Sequence, residues 1–198
     1  MTDDNWKSKY ISMKQLYIDT KRQFFKHFGG DLRFTVTSPD FVDGDILNKK
    51  HAGSGTNCGE GNNVFPTIEW TNLPEGTKTL ALIVDDPDAT KGKPTQKEAW
   101  VHLVAWNIDP EYDNLDNDTL TTMVETGKNS WGEQGYNGPC PPAGEQEHHY
   151  HFKLYALNKK LELNENSTVD DLLNAMNETD GIILGEAEII GLYGVETK

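Results

Sequence analysis

Thr79-Leu80-Ala81-Leu82-Ile83-Val84-Asp85-Asp86-Pro87-Asp88 decides the fold. An apolar run of strand length over residues 80–84 stops at Asp-Pro-Asp, where proline fixes φ and removes a backbone donor, so the chain turns sharply. The turn is expected to expose the carboxylates of Asp86 and Asp88. Working outward, similar β-type runs occur at 33–37, 67–70, 100–108 and 148–157, separated by turn residues. The language of the chain is therefore mainly β. The stretch 53–63 is rich in Gly and Asn and reads as a long surface loop, and 113–118 reads as an acidic, Asn-rich connection.

Two helices stand apart from these runs. Over residues 10–28 the apolar side chains Tyr10, Met13, Tyr17, Phe24 and Phe28 share one helical face, and Gly29-Gly30 supplies a stop. Near the other end, Ser167-Thr168-Val169-Asp170 followed by Leu172, Leu173 and Met176 reads as a helix with Ser167 as N-cap. The apolar stretch 182–193 has no period that separates helix from strand. The expected organisation is an N-terminal amphipathic helix over residues 1–30 and one domain over 31–198.

The 198 residues carry 35% hydrophobic and 25% charged side chains, a composition that fits one globular domain. A formal net charge of −14 repels nucleic acid and anionic bilayers, and no run of Lys and Arg opposes it. No apolar stretch is long enough to span a bilayer, so an integral membrane protein is not expected. The start, Met1-Thr2-Asp3-Asp4, lacks the basic and apolar regions of a secretory signal, which points to the cytoplasm. In a reducing compartment Cys58 and Cys140 would both be thiols. Cys140 then has two open readings, a small buried hydrophobe or a group positioned beside a ligand.

Chemistry-bearing residues fall in three segments. Asp86 and Asp88 frame the first turn. His102 interrupts the apolar run Trp100–Ile108, where a polar ring needs a partner. In 148–157, alternation places His148, Tyr150 and Phe152 on one face, and His149 and His151 on the other with Glu147. His148 and Tyr150 offer an imidazole and a phenol to an anionic oxygen, and a carboxylate of the Asp-Pro-Asp turn can hold one imidazole charged. Gly138-Pro139-Cys140-Pro141-Pro142 is a stiff loop able to wall a pocket, with N–H groups at Gly138 and Cys140 as further donors. The Glu147/His149/His151 face has the spacing of a strand-borne metal set.

The order and spacing of these strings resemble the phosphatidylethanolamine-binding protein family, which includes the Raf kinase inhibitor proteins. The resemblance spans residues 46–193 and rests on Pro66-Thr67-Ile68-Glu69-Trp70, Leu73-Pro74-Glu75-Gly76-Thr77, Asp86-Pro87-Asp88-Ala89, Trp100-Val101-His102 with Asn107, Gly135-Tyr136-Asn137-Gly138-Pro139 and His148-His149-Tyr150. It implies an antiparallel β-sandwich, a large sheet on a smaller one with peripheral helices, and a pocket for phosphorylated head groups such as phosphoethanolamine or other small anions. The matching ligand-binding positions are Asp86, Pro87, Asp88, Trp100, His102, Gly138, Cys140, Pro142, His148 and Tyr150, with Tyr193 closing the pocket. Two positions depart from the family: Thr90 replaces a proline, and His149 replaces an Arg whose permanent charge is thereby lost.

The resemblance implies a binding protein rather than an enzyme, without cofactor or metal, whose partners include a kinase or a protease. The rival class is an enzyme: a metal-dependent hydrolase using Glu147, His149 and His151, or an acid–base catalyst using Asp86 and His102. No nucleophile stands beside an evident base, which argues against the rival.

Overall fold

In the computed structural model, residue 20 and residues 33–90, 99–178 and 181–195 are described. The chain divides into two units, Met1–Arg33 and Phe34–Lys198. The second unit holds both sheets. The helix expected over 10–28 lies outside the described residues.

The apolar runs form strands, all paired antiparallel. A three-stranded sheet has the order β1-β2-β5, built from β1 (Thr35–Thr37), β2 (Ile68–Thr71) and β5 (Asn114–Leu115). A five-stranded sheet has the order β6-β4-β3-β7-β8, from β6 (Glu125–Thr126), β4 (Trp100–Ile108), β3 (Thr79–Asp86), β7 (His148–Leu157) and β8 (Ile183–Tyr193). The mainly β, two-sheet architecture is the expected one. The stretch of undecided period is β8, which pairs with β7 from His148↔Tyr193 to Leu157↔Ile183.

Every residue of β3 is buried, so this central strand is apolar on both faces. Leu80, Leu82 and Val84 face inward with Leu103, Phe152 and Leu154, against Val36, Ile68, Trp70 and Leu115 of the small sheet. Ala81 and Ile83 face outward with Val104, Trp106 and Tyr155, covered by Leu172 and Met176. Those last two lie on a helix, Val169–Asn177, whose N-cap is Thr168: its side chain accepts from Asp171 N–H while Asp171 bonds back to the Thr168 N–H, a capping box. The cap lies one residue beyond the Ser167 expected. A second helix, Asn117–Met123, begins inside the stretch read as a connection, where Asp116 accepts from Thr119 N–H. Among the described residues no helix is long and apolar enough to cross a membrane.

Two irregularities shape β4. Its partners on β3 jump between Leu80 and Leu82, where Asn107 takes φ +54°. Asn tolerates this conformation, and its side chain exchanges hydrogen bonds with the backbone of Leu161 at 2.9 and 3.0 Å. The second jump lies between Val84↔Leu103 and Asp85↔Val101, leaving His102 as the extra residue of a bulge.

The stretch 53–63 is not the free surface loop expected. It contains hydrogen-bonded turns, and its Gly61 lies against the Ala52 backbone so closely that a Cβ would sit 2.2 Å from the Ala52 oxygen. Cys58 within it is joined to Cys140 by a disulfide spanning a sequence separation of 82. The expectation of two thiols is thereby overturned, since separation along a chain carries no information about separation in space. The Cys58→Ser/Cys140→Ser variant is expected to lose about 2–5 kcal/mol of stability, because the unfolded chain regains the freedom that the cross-link removes. Urea unfolding checks this; equal midpoints for the variant and the oxidised protein would refute it.

Candidate functional site

Antiparallel pairing brings three distant segments to one end of the large sheet. β3 finishes there at Asp86, beside the first residues of β4 and β7: Asp86 pairs with Trp100, and Asp85 with His151. His148 and Tyr150 share the inward face with Phe152, while the bulge turns His102 toward the same side as Leu103. The result is a cavity of about 310 Å³ lined by Asp86, Asp88, Ala89, Trp100, His102, Trp131, Cys140, Pro141, Pro142, Glu145 and His148.

Asp86 organises the cavity. Its carboxylate is buried, not exposed at the turn as expected. One oxygen accepts from the N–H groups of Asp88 and Ala89 at 2.9 and 3.1 Å, which fixes the turn after Pro87. The other accepts from His148 Nδ1 at 2.8 Å. His148 Nε2 faces the carboxylate of Glu145 at 3.4 Å. Burial by itself pulls the His148 imidazole down, but the hydrogen bond and charge of Asp86, joined by Glu145 and Asp88, outweigh it and hold the ring above its ordinary value. Among the described residues that line the cavity, His148 is the imidazole whose cationic form the surroundings favour.

His102 differs in kind. Its Nδ1–H donates to the Asn137 carbonyl, leaving Nε2 as the lone-pair nitrogen. Burial lowers its pKa to about 4, with the Asn137 carbonyl and Asp86 opposing too weakly. The ring is neutral at ordinary pH, and its Nε2 is buried with no hydrogen-bond partner among the described residues. Toward the cavity His102 therefore presents an acceptor nitrogen. Tyr150 lies beneath it, edge to face at 5.1 Å, and does not line the cavity. Its hydroxyl is buried, and burial, with the charge of and a hydrogen bond to Asp86, pushes its pKa up.

The stiff loop forms a wall through Cys140, Pro141 and Pro142. The disulfide anchors it, and Gly53 N–H donates to the Pro139 carbonyl at 2.9 Å. Gly138 lies outside the lining. Its N–H is not free, because it donates to Asn63 Oδ1 at 2.7 Å, and a Cβ there would meet the His51 oxygen at 2.2 Å. Pro87 and Tyr193 are likewise outside the lining; the Tyr193 hydroxyl donates to the Cys58 carbonyl at 3.1 Å. Trp131, Glu145 and Ala89 line the cavity without having been singled out as ligand-binding positions from sequence. Trp131 and Glu145 sit in loops without periodicity, and the one available signal was an aromatic side chain in an otherwise polar stretch.

The outer face of β7 does not assemble the hydrolase set. His149 Nδ1 pairs with Asp88 at 2.8 Å, and its backbone N–H donates to the same oxygen. His151 Nδ1 pairs with Glu188 at 2.7 Å. Among the described residues no three His, Cys, Asp or Glu side chains come together as a metal would require. The His149–Asp88 pair does occupy the place where the resemblance implies an Arg ion pair.

A family model described as phosphatidylethanolamine-binding protein matches residues 37–194. The UPF0098 protein YbcL of Escherichia coli (strain K12) is 34% identical over 195 residues, covering 93% of this chain and 100% of YbcL. The crystal structure of E. coli YbcL, described as a new member of the mammalian PEBP family, superposes with a TM-score of 0.71 over 82% of this chain and 99% of that one. A PEBP homologue from Chlamydia trachomatis superposes with a TM-score of 0.69 at 33% identity, covering 82% and 98%.

The two imidazoles give opposite pH signatures. His148, with its folded pKa raised from ~6.5, contributes stability that is fully present below ~6.5 and lost as pH rises through the folded value. His102, folded at about 4 against ~6.5 when unfolded, removes stability as pH falls through that window. An NMR titration is expected to place the His148 midpoint above ~6.5 and to lower it in Asp86→Asn. An unchanged midpoint in that variant would show that Asp86 does not hold the charge.

Proposed function

Because the chain belongs to the phosphatidylethanolamine-binding protein family, we propose that this cavity is a binding site for a small phosphorylated group or a similar anion, with His148 as its charged contact. The observation that carries the proposal is the placement of His148 between Asp86 and Glu145. Its inner nitrogen is fixed on buried Asp86, and among the described residues its outer nitrogen meets Glu145, whose side chain is 56% exposed, at 3.4 Å. A half-exposed carboxylate at that distance is held weakly and is readily displaced. Glu145 thus takes the part that an anionic ligand oxygen would take, and a phosphoryl oxygen in its place would receive a charge-assisted hydrogen bond.

The buried His102 Nε2 gives the same reading independent support. Buried polar atoms without partners are rare and call for an explanation, and His102 lines this cavity. A phosphoryl group, when singly protonated, presents a donor to the imidazole. This is binding chemistry, with no nucleophile involved. The disulfide favours an oxidising compartment over the cytoplasm expected from sequence.

Affinity for inorganic phosphate or phosphoethanolamine is expected to rise as pH falls through the elevated His148 midpoint, since only the protonated ring donates from Nε2. Calorimetry across that range checks it. The His148→Ala variant is expected to bind about tenfold or more weakly, the scale of a lost hydrogen bond to a charged group. The Glu145→Gln variant is expected to bind about two- to fivefold more tightly, because a competing carboxylate is gone. Equal affinity in wild type and His148→Ala would place the site elsewhere.

A further inference from the structure

The loop that carries Cys140 into the cavity wall is held to segment 51–63 in two ways. Hydrogen bonds are the first. Gly53 N–H donates to the Pro139 carbonyl at 2.9 Å, Gly138 N–H donates to Asn63 Oδ1 at 2.7 Å, and Asn63 Nδ2 donates to the Tyr136 carbonyl at 2.9 Å. The Tyr136 hydroxyl adds a bond to the His51 carbonyl at 3.1 Å. None of these bonds requires the cysteines to be joined. The disulfide is the second tie, and it acts one residue further on, at Cys140. Past the prolines the loop is held again where Gly144 N–H donates to the Val195 carbonyl at 2.9 Å. The cross-link therefore acts on the stretch that faces the cavity, Cys140, Pro141 and Pro142.

Cys58, at the other end of the bond, is tied to the same site. Its carbonyl accepts from the Tyr193 hydroxyl at 3.1 Å, and Tyr193 pairs with His148 between β8 and β7. Its sulfur is flanked by glycine. A Cβ at Gly53 would lie 3.1 Å from Cys58 Sγ, and one at Gly55 would lie 3.5 Å from it. Gly55 has φ −71° and ψ 151°, a conformation open to any residue, so its backbone gives no reason for glycine there. Ser54, Gly55 and Asn57 are exposed, and both cysteines are half-buried. Two absent side chains thus leave room beside a sulfur on an exposed turn. Thiol–disulfide exchange needs a thiolate to reach one sulfur, and access helps to set its rate.

We propose that Cys58–Cys140 is an exchangeable disulfide through which a dithiol reductant controls the wall of the cavity. One thiolate of the dithiol attacks Cys58 Sγ and forms a mixed disulfide, the Cys58–Cys140 bond breaks, and Cys140 leaves as a thiolate that takes up a proton. The second thiol of the reductant then closes on the reductant's own sulfur, and Cys58 leaves in the same way. Two electrons and two protons pass from the dithiol to the protein. Residues 136–139 keep their hydrogen bonds to segment 51–63, while Cys140 and the prolines after it gain freedom that a bound ligand must remove. The reduced form binds more weakly, so affinity follows the thiol–disulfide balance around the protein. The loss of affinity rests on the function proposed above, and the release of the wall rests on the disulfide alone.

The test treats the oxidised protein with dithiothreitol in the absence of denaturant and follows free thiols by alkylation and mass spectrometry. Wild type is expected to be reduced while its NMR spectrum stays that of a folded protein. Gly55→Val is expected to be reduced about tenfold more slowly, because its side chain stands in the path to Cys58. Reduction that needs denaturant, equal rates in the two proteins, or loss of the folded spectrum on reduction would overturn the exchange. Calorimetry then measures inorganic phosphate. Reduced wild type and Cys58→Ser/Cys140→Ser are expected to bind it about fivefold or more weakly than oxidised wild type, with reoxidation restoring the affinity and oxidised Gly55→Val binding as wild type does. By linkage, saturating phosphate is expected to shift the equilibrium with a glutathione buffer toward the disulfide by the same factor. Equal phosphate affinity in the oxidised and reduced forms would overturn the control of binding. If phosphate binds neither form, the function proposed above fails, and the ligand-free spectra decide the switch by themselves: movement of the Trp131 indole and His148 signals on reduction upholds it, and unmoved signals overturn it.

Discussion

One buried carboxylate holds the functional end of this molecule together. Asp86 closes β3, and its two oxygens reach in opposite directions, one to the N–H groups of the turn beyond Pro87 and the other to His148 on the neighbouring strand. A carboxylate with so little exposure is costly unless its lone pairs are filled. Filling them ties the turn, the start of β7 and the charge state of the imidazole to one another. Without Asp86 the turn loses its anchor and the ring loses the partner that keeps it protonated. The geometry of the cavity and its charge therefore have one origin.

The cavity joins features that would each be unfavourable alone. His148 is a buried imidazole among carboxylates, His102 is a neutral ring with an unfilled acceptor, and Trp100 and Trp131 keep indole surface in water. The disulfide and the prolines stiffen the loop that walls the cavity. A chain of ring contacts runs from Trp100 through Trp131 and His102 to Tyr150, at centroid distances of 5.3, 5.1 and 5.1 Å. The rings at the rim are thereby braced against those beneath.

The five long apolar runs were legible as strands because β3, β4 and β7 are buried on both faces or alternate cleanly. The small strands β5 and β6 were not, since two residues carry no period. β8 was ambiguous for a physical reason: its first half is only partly buried, and alternation begins near Ile189. At the site, Asp86, Asp88, Trp100, His102, Cys140, Pro142 and His148 were found through strand ends and resemblance, and all line the cavity. The burial of Asp86 was hidden because a turn sequence alone does not reveal what packs over it. The tautomer of His102 was not legible because it is set by Asn137, 35 residues away. The disulfide was hidden because nothing in the immediate neighbours of Cys58 or Cys140 encodes contact across a separation of 82, which is a property of the fold.

The protonated state of His148, held by Asp86 with the outer nitrogen ready for an anionic oxygen, is what every functional statement above depends on. A ¹⁵N NMR spectrum of the imidazoles, recorded with and without phosphate at a pH just below the His148 midpoint, reads that state. Both His148 nitrogens are expected to resonate as protonated, and phosphate is expected to shift Nε2 while Nδ1 stays in place on Asp86. A neutral His148 ring, or phosphate shifts confined to His149 and His151, would contradict it.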